Sequence, residues 1–294
     1  MGFSFRHSLK SALKSAFIIL KLIIPIYILA DVLFYYNTLS YVSFLVEPLT
    51  SFLHLPPQSA LSIISGMFLN LYAAIAFAAP IGLSPKEWTI LAVFLGICHA
   101  LVVETVVMKK IGISKSYSIF LRLIGGLLVA YIVTLLPNSL FETLHVNSDN
   151  FEKEHFDSIG AVLQNSFYEA CILSIEVITL ISLLIFLLDF IKSLQYVQRY
   201  STKVNSTFSI FIGVILGITY GAGILISEYE KNTLSKKEIF FIGTFLMICH
   251  AIIEDTLLFA IFGANIWIIV GLRVLFAFVF AMILTQIFYA KKQL

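Results

Sequence analysis

The chain has 294 residues, of which 60% are hydrophobic and 12% charged, with a net charge of +2 and a mean hydropathy of +0.98. Soluble domains carry roughly 25% charged residues, so this composition excludes a water-soluble fold, and the lack of a basic block excludes nucleic acid as a partner. The expected partners are the lipid bilayer, a small-molecule or ion substrate and, should the chain form a homo-oligomer, a second copy of it.

An apolar run of roughly 20 residues spans a bilayer as a helix, because backbone polar groups find no water there. In chain order the runs predict spans at 14–36, 58–79, 89–109, 116–136, 169–191, 207–226, 239–262 and 265–288. They are too long and continuous for the alternating strands of a barrel. Arg6, Lys10 and Lys14 precede the first run, which is too long for a signal peptide and shows no small-residue cleavage site, so it reads as an anchor. Segment 42–54, interrupted by Glu47 and Pro48, is short and reads as re-entrant or interfacial. Residues 138–166 are the one clear shift in composition, with Glu142, Asp149, Glu152, Glu154 and Asp157 against Lys153, and read as an acidic extramembrane linker.

The expected architecture is an all-α integral membrane protein of two tandem repeats, 1–137 and 167–294, each of about four transmembrane helices. The expected location is multi-pass, in the plasma (inner) membrane. Positive charge near short loops marks the cytoplasmic side, which suits Lys109, Lys110 and Lys115 as well as Lys192, Arg199 and Lys203. Placing the basic N-terminus there too requires segment 42–54 to cross, giving nine spans. Eight spans put it outside, and Lys291 and Lys292 fit neither version.

The repeat is visible in the residues. Ile97-Cys98-His99-Ala100 returns 151 positions later as Ile248-Cys249-His250-Ala251. At the same offset Ser84, Lys86, Glu87, Thr105, Gly112 and Arg122 match Ser235, Lys237, Glu238, Thr256, Gly263 and Arg273, and Glu104 matches Asp255. Charges inside hydrocarbon are costly unless they pair or face a cavity. Glu104 and Arg122 flank a turn near Gly112 at spacings that place them at similar depth in an antiparallel hairpin, and Asp255 and Arg273 repeat this around Gly263. Two roles follow: ion pairs that pin the hairpins, or arginines whose planar forks hold an anionic group. His99 and His250 add hydrogen bonding or proton coupling, since imidazole titrates near neutral pH.

The copies also differ. Glu254, four residues after His250 and so on its helix face, stands where the first copy has Val103, and Asn70 stands opposite Gly221. Asn70 and Glu176 read as deep pocket candidates, whereas Lys21, Asp31 and Asp189 lie near span ends. Cys98-His99 and Cys249-His250 raise a tetrahedral metal site. Neighbours on a helix point about 100° apart, however, so neither dipeptide chelates one ion. The cysteines, Cys171 included, read as packing residues, and no metal ligand set is assigned. No nucleotide-binding loop, nucleophile elbow or zinc-protease motif is present, so neither a cofactor nor an enzyme is expected.

Lys21-x3-Pro25, Leu55-Pro56-Pro57, the Asn70–Ala74 region, Leu83-Ser84-x2-Glu87, His99-x4-Glu104 and Arg122 together resemble the nucleoside-recognition, or Gate-domain, membrane proteins. The resemblance implies relatives among the Gate regions of bacterial ferrous-iron transporters, spore maturation membrane proteins and nucleoside transporters, and a transport-like role. The leading expectation is a transporter for a small polar or anionic solute. Its site would lie between the repeats and be lined by His99, Glu104, Arg122, His250, Glu254, Asp255, Arg273 and Asn70. The alternatives are a non-transporting scaffold with structural ion pairs, divalent metal transport, and an enzyme or flippase acting on a lipid-linked phosphate.

Overall fold

The computed structural model describes residues 3–36, 38, 47–141, 158–194, 214, 226 and 234–290. Among them every regular element is a helix. Among the described residues six helical segments are long and apolar enough to cross a membrane, and the chain is a multi-pass membrane protein. All of the expected span 207–226 but residues 214 and 226, Gly221 included, the terminal Lys291 and Lys292 and most of the acidic linker lie outside the described residues.

Two long helices, α1 (Phe5–Tyr35) and α8 (Ile159–Ser193), pack side by side. Small and aliphatic residues at helical spacing face inward: Ala12, Ile19, Ile23 and Ala30 on α1, and Val162, Ala170, Leu173, Val177 and Ile181 on α8. Large apolar residues such as Leu13, Phe17, Ile175 and Leu183 face outward, as lipid contact demands. A serine–aspartate hydrogen bond joins the pair near each end: Ser8 Oγ to Asp189 Oδ2 at 2.8 Å, and Ser166 Oγ to Asp31 Oδ2 at 2.5 Å. Their antiparallel register separates the two bonds by roughly 34 Å at about 1.5 Å per residue, close to the hydrocarbon thickness of a bilayer. Asp31 and Asp189 are thus tied to serines. Glu176, expected in a pocket, is exposed on the outer face of α8, because it falls off the inward-facing stripe. The helix begins at Ile159, capped by the Ser158 side chain, inside the stretch expected as linker.

The other apolar runs depart from the expectation of continuous helices. Residues 58–79 fold as two short helices, α3 (Ala60–Phe68) and α4 (Leu71–Ala78). The run 89–109 divides into α5 (Pro85–Cys98) and α6 (Leu101–Lys110). The run 239–262 divides into α9 (Lys236–Ile248) and α10 (Ile252–Ala260). Unbroken helices α7 (Lys115–Leu135) and α11 (Ile266–Ala290) return from these. Of segment 42–54, residues Glu47–Phe52 form the short helix α2, which precedes α3.

The segments 84–135 and 235–290 take the same local form. Each starts with a capping box, Ser84 with Glu87 and Ser235 with Glu238. Each breaks at the Ile-Cys-His-Ala string. Each then turns at a glycine in the left-handed region, Gly112 at φ 87° and Gly263 at φ 83°, a conformation glycine adopts without steric cost. The rest of a four-helix repeat would need the expected span 207–226, of which residues 214 and 226 alone are described.

Candidate functional site

The Ile-Cys-His-Ala strings are helix breaks. Ala100 (φ 45°, ψ 37°) and Ala251 (φ 45°, ψ 33°) both occupy the left-handed region, at about 1–2 kcal/mol each for a residue with a Cβ. A break in an apolar run also frees backbone carbonyls, which must find donors. The arginines supply them. Arg122 Nε donates to Ile97 O at 2.7 Å and Nη2 to His99 O at 2.7 Å. Arg273 Nε donates to Ile248 O at 3.1 Å and Nη2 to His250 O at 2.8 Å. Both guanidinium groups are fully buried. The first break also meets the interrupted span before it: Ala100 N–H donates to Gly66 O at 2.9 Å.

The acids sit in the first turns of α6 and α10, where the helix dipole favours negative charge. Glu104 Oε2 lies 2.8 Å from Arg122 Nη2, and Asp255 Oδ2 lies 3.1 Å from Arg273 Nη1. The two hairpins then interlock. Arg273 Nη2 reaches across to Gly96 O at 2.6 Å. His99 Nε2 and His250 Nε2 each lie 3.2 Å from the same oxygen, Glu104 Oε1. The two imidazole rings are 5.1 Å apart, centroid to centroid. His250 therefore turns to the acid of the other hairpin; the break at Ala251 separates it from Glu254, with which it was expected to share one helix face. Tyr117 to Thr244, at 2.8 Å between hydroxyls, and Asn265 N–H to Thr89 Oγ1, at 2.8 Å, add further cross-links between the halves.

The copies are unequal where it matters. A Cβ at position 96 would stand 2.8 Å from Arg273 Nη1, so the cross-hairpin bond needs glycine there. Met247 occupies the matching place, and Arg122 Nη1 has no hydrogen-bond partner among the described residues. Glu254 accepts from Tyr72 OH at 3.1 Å, while Val103, its counterpart, is exposed on the outer face of α6. Asn70 does not reach the acids. Its side chain accepts from Ala73 N–H at 3.0 Å and so caps α4, the helix that carries Tyr72. Cys98 stays apart from the histidines: its thiol meets Arg122 O at 2.8 Å. No spacing in the sequence signals Tyr72. Its tie to Glu254 depends on how the α3–α4 break is set against α10.

Of the eight site residues expected from sequence, His99, Glu104, Arg122, His250, Asp255 and Arg273 thus form one buried polar centre. Glu254 and Asn70 lie beside it on the side of Tyr72. Residues 16–115 match the Gate family, described as nucleoside recognition. The chain thus contains a stretch similar to the Gate family within a multi-pass membrane protein. The matched stretch runs from α1 to the end of α6, so it contains the first break, Asn70, His99 and Glu104, while the second break and both arginines lie beyond it. The uncharacterized membrane protein YvoD of Bacillus subtilis (strain 168) is 28% identical over 265 residues, covering 86% of this chain and 85% of that protein. No solved structure matches the chain.

Proposed function

We propose that this membrane protein, like the Gate family that residues 16–115 resemble, carries a small polar solute across the membrane, with the solute taken up where the three broken segments meet. The supporting observation is the convergence of the interruptions at Asn70, at His99–Ala100 and at His250–Ala251 on one polar centre. Non-helical backbone at membrane depth persists only where protein or a water-filled cavity covers it, and secondary transporters place their sites at such discontinuous helices. In this conformation the centre is closed: His250 is 1% exposed, and Glu104 and Asp255 are 5% and 3% exposed. Tyr72, Glu254 and the two histidines offer the hydrogen-bonding groups that a solute would meet when it opens. Every guanidinium nitrogen except Arg122 Nη1 is turned to a carbonyl or acid of the protein, which supports a bracing role for Arg122 and Arg273 over direct capture of an anion.

The pairing of both arginines with acids of their own hairpins favours a second reading, a scaffold whose charges are purely structural. Reconstituted vesicles separate the two. Uptake of labelled nucleosides, the solutes suggested by the family's description, and of small organic anions is measured for the wild type, Arg122→Ala and His250→Ala. Saturable uptake by the wild type and its loss in His250→Ala supports transport through this centre. Unchanged uptake in both folded variants rejects the site, and no uptake of any solute leaves the scaffold.

A further inference from the structure

Each histidine points its Nδ1 at a carbonyl oxygen of its own helix: His99 at Leu95 O, 2.8 Å away, and His250 at Leu246 O, 2.9 Å away. A carbonyl only accepts, so Nδ1 carries the hydrogen and Nε2 of each neutral ring is a lone pair. Both lone pairs are aimed at Glu104 Oε1, at 3.2 Å each. Three acceptors thus face one another inside the polar centre, an arrangement of lone pairs that is repulsive unless a proton or a metal ion lies among them. A single proton relieves one of the two contacts. Two protons would put two imidazolium rings 5.1 Å apart. An electron-pair acceptor with several coordination positions relieves all of them at once.

We propose that His99, His250 and Asp255, with Glu104 alongside, form a binding site for one divalent transition-metal ion. One ligand atom from each of His99, His250 and Asp255 lies within 4.8 Å of the other two, a spread that small inward movements bring to coordination distances of about 2.0–2.2 Å. Imidazole nitrogen with carboxylate oxygen suits zinc, cobalt, nickel or iron rather than calcium or magnesium. The supporting contacts are those that metal-binding histidines make, with the second ring nitrogen held by a carbonyl. Arg273 on Asp255 and Arg122 on Glu104 orient the carboxylates in the same way. The site takes ligands from both hairpins, so an ion there would clamp the two breaks together. It depends on geometry alone and stands whether or not the protein moves a solute.

The test uses the full chain purified in detergent and stripped with chelator. Zinc is titrated by calorimetry and counted by elemental analysis, and cobalt is added as a visible-absorption probe. The expected result is about one zinc per chain, with at least tenfold weaker binding in His99→Ala, His250→Ala and the conservative Glu104→Gln. His54→Ala, at an exposed histidine remote from the centre, is expected to bind as the wild type does. Cobalt bound to the wild type should show d–d bands of nitrogen and oxygen ligation, a readout that does not require any variant to fold. No stoichiometric zinc or cobalt binding by the wild type overturns the proposal, as does undiminished binding in folded His99→Ala and His250→Ala. Because binding is read without flux, a failure here is separate from a failure of uptake in vesicles.

Discussion

Replacing Arg273 by methionine keeps much of the side-chain volume and removes every donor. Four contacts go: Ile248 O, His250 O, Gly96 O and the Asp255 carboxylate. Removing one partner of a buried ion pair costs about 3–5 kcal/mol, and each carbonyl left without its charged donor adds roughly 1.5–3 kcal/mol. Terms within one network do not add fully, so the expected loss is on the order of 5 kcal/mol. At roughly 2–4 °C per kcal/mol for a chain of about this size, Tm should fall on the order of 10–20 °C. A thiol-reactive fluorophore reads this directly, since Cys98 and Cys249 are free and buried until the protein unfolds. The double variant Arg273→Met with Asp255→Leu removes the stranded acid and should recover a large part of the loss. A Tm for Arg273→Met within about 2 °C of wild type, or a double variant no better than the single, refutes the view that Arg273 holds the second break.

The glycines give a matched pair of expectations. Gly96→Ala places a Cβ against Arg273 and should cost about 1–3 kcal/mol by displacing it from Gly96 O. Gly271→Ala, on α11 with nothing near its Cβ, should be neutral or stabilising by up to about 1 kcal/mol; equal effects in the same thermal assay would show that backbone propensity rather than the arginine contact decides. At the first break Ala100→Val forces a β-branched residue into φ 45° and should destabilise by about 1–3 kcal/mol, whereas Ala100→Gly should stay within about 1 kcal/mol of wild type. Thermal unfolding of the two variants side by side checks this, and a tolerated valine would mean that the left-handed turn is not held.

Hydropathy located the unbroken helices well, because their length and composition carry the signal: 116–136 against Lys115–Leu135, and 265–288 against Ile266–Ala290. The hairpins were legible too, from the acid and arginine spaced about a glycine. The breaks were not. Neither string contains glycine or proline, and alanine is the strongest helix former, so local propensity argues for continuity. The interruption comes from tertiary partners far along the chain, Arg122 for Ile97 and His99, and Arg273 for Ile248 and His250. Asn70 was readable in principle, as an N-cap residue stranded in an apolar run. Glu176 misled because depth was inferred without knowing which face of α8 turned inward.

Each arginine shares a hairpin with its own acid, Arg122 with Glu104 and Arg273 with Asp255. This bears on how the chain enters the bilayer during synthesis. A lone arginine at mid-depth costs upwards of about 2.5 kcal/mol. A hairpin that closes its own pair carries no unpaired arginine into the lipid, and the N-terminal one is complete before the other is made. The bonds that join the halves, from Arg273 to Gly96 O and from His250 to Glu104, wait for the later hairpin to arrive. Insertion and assembly are thereby separated: each arginine is paired within its own hairpin in the lipid, and the shared centre closes last.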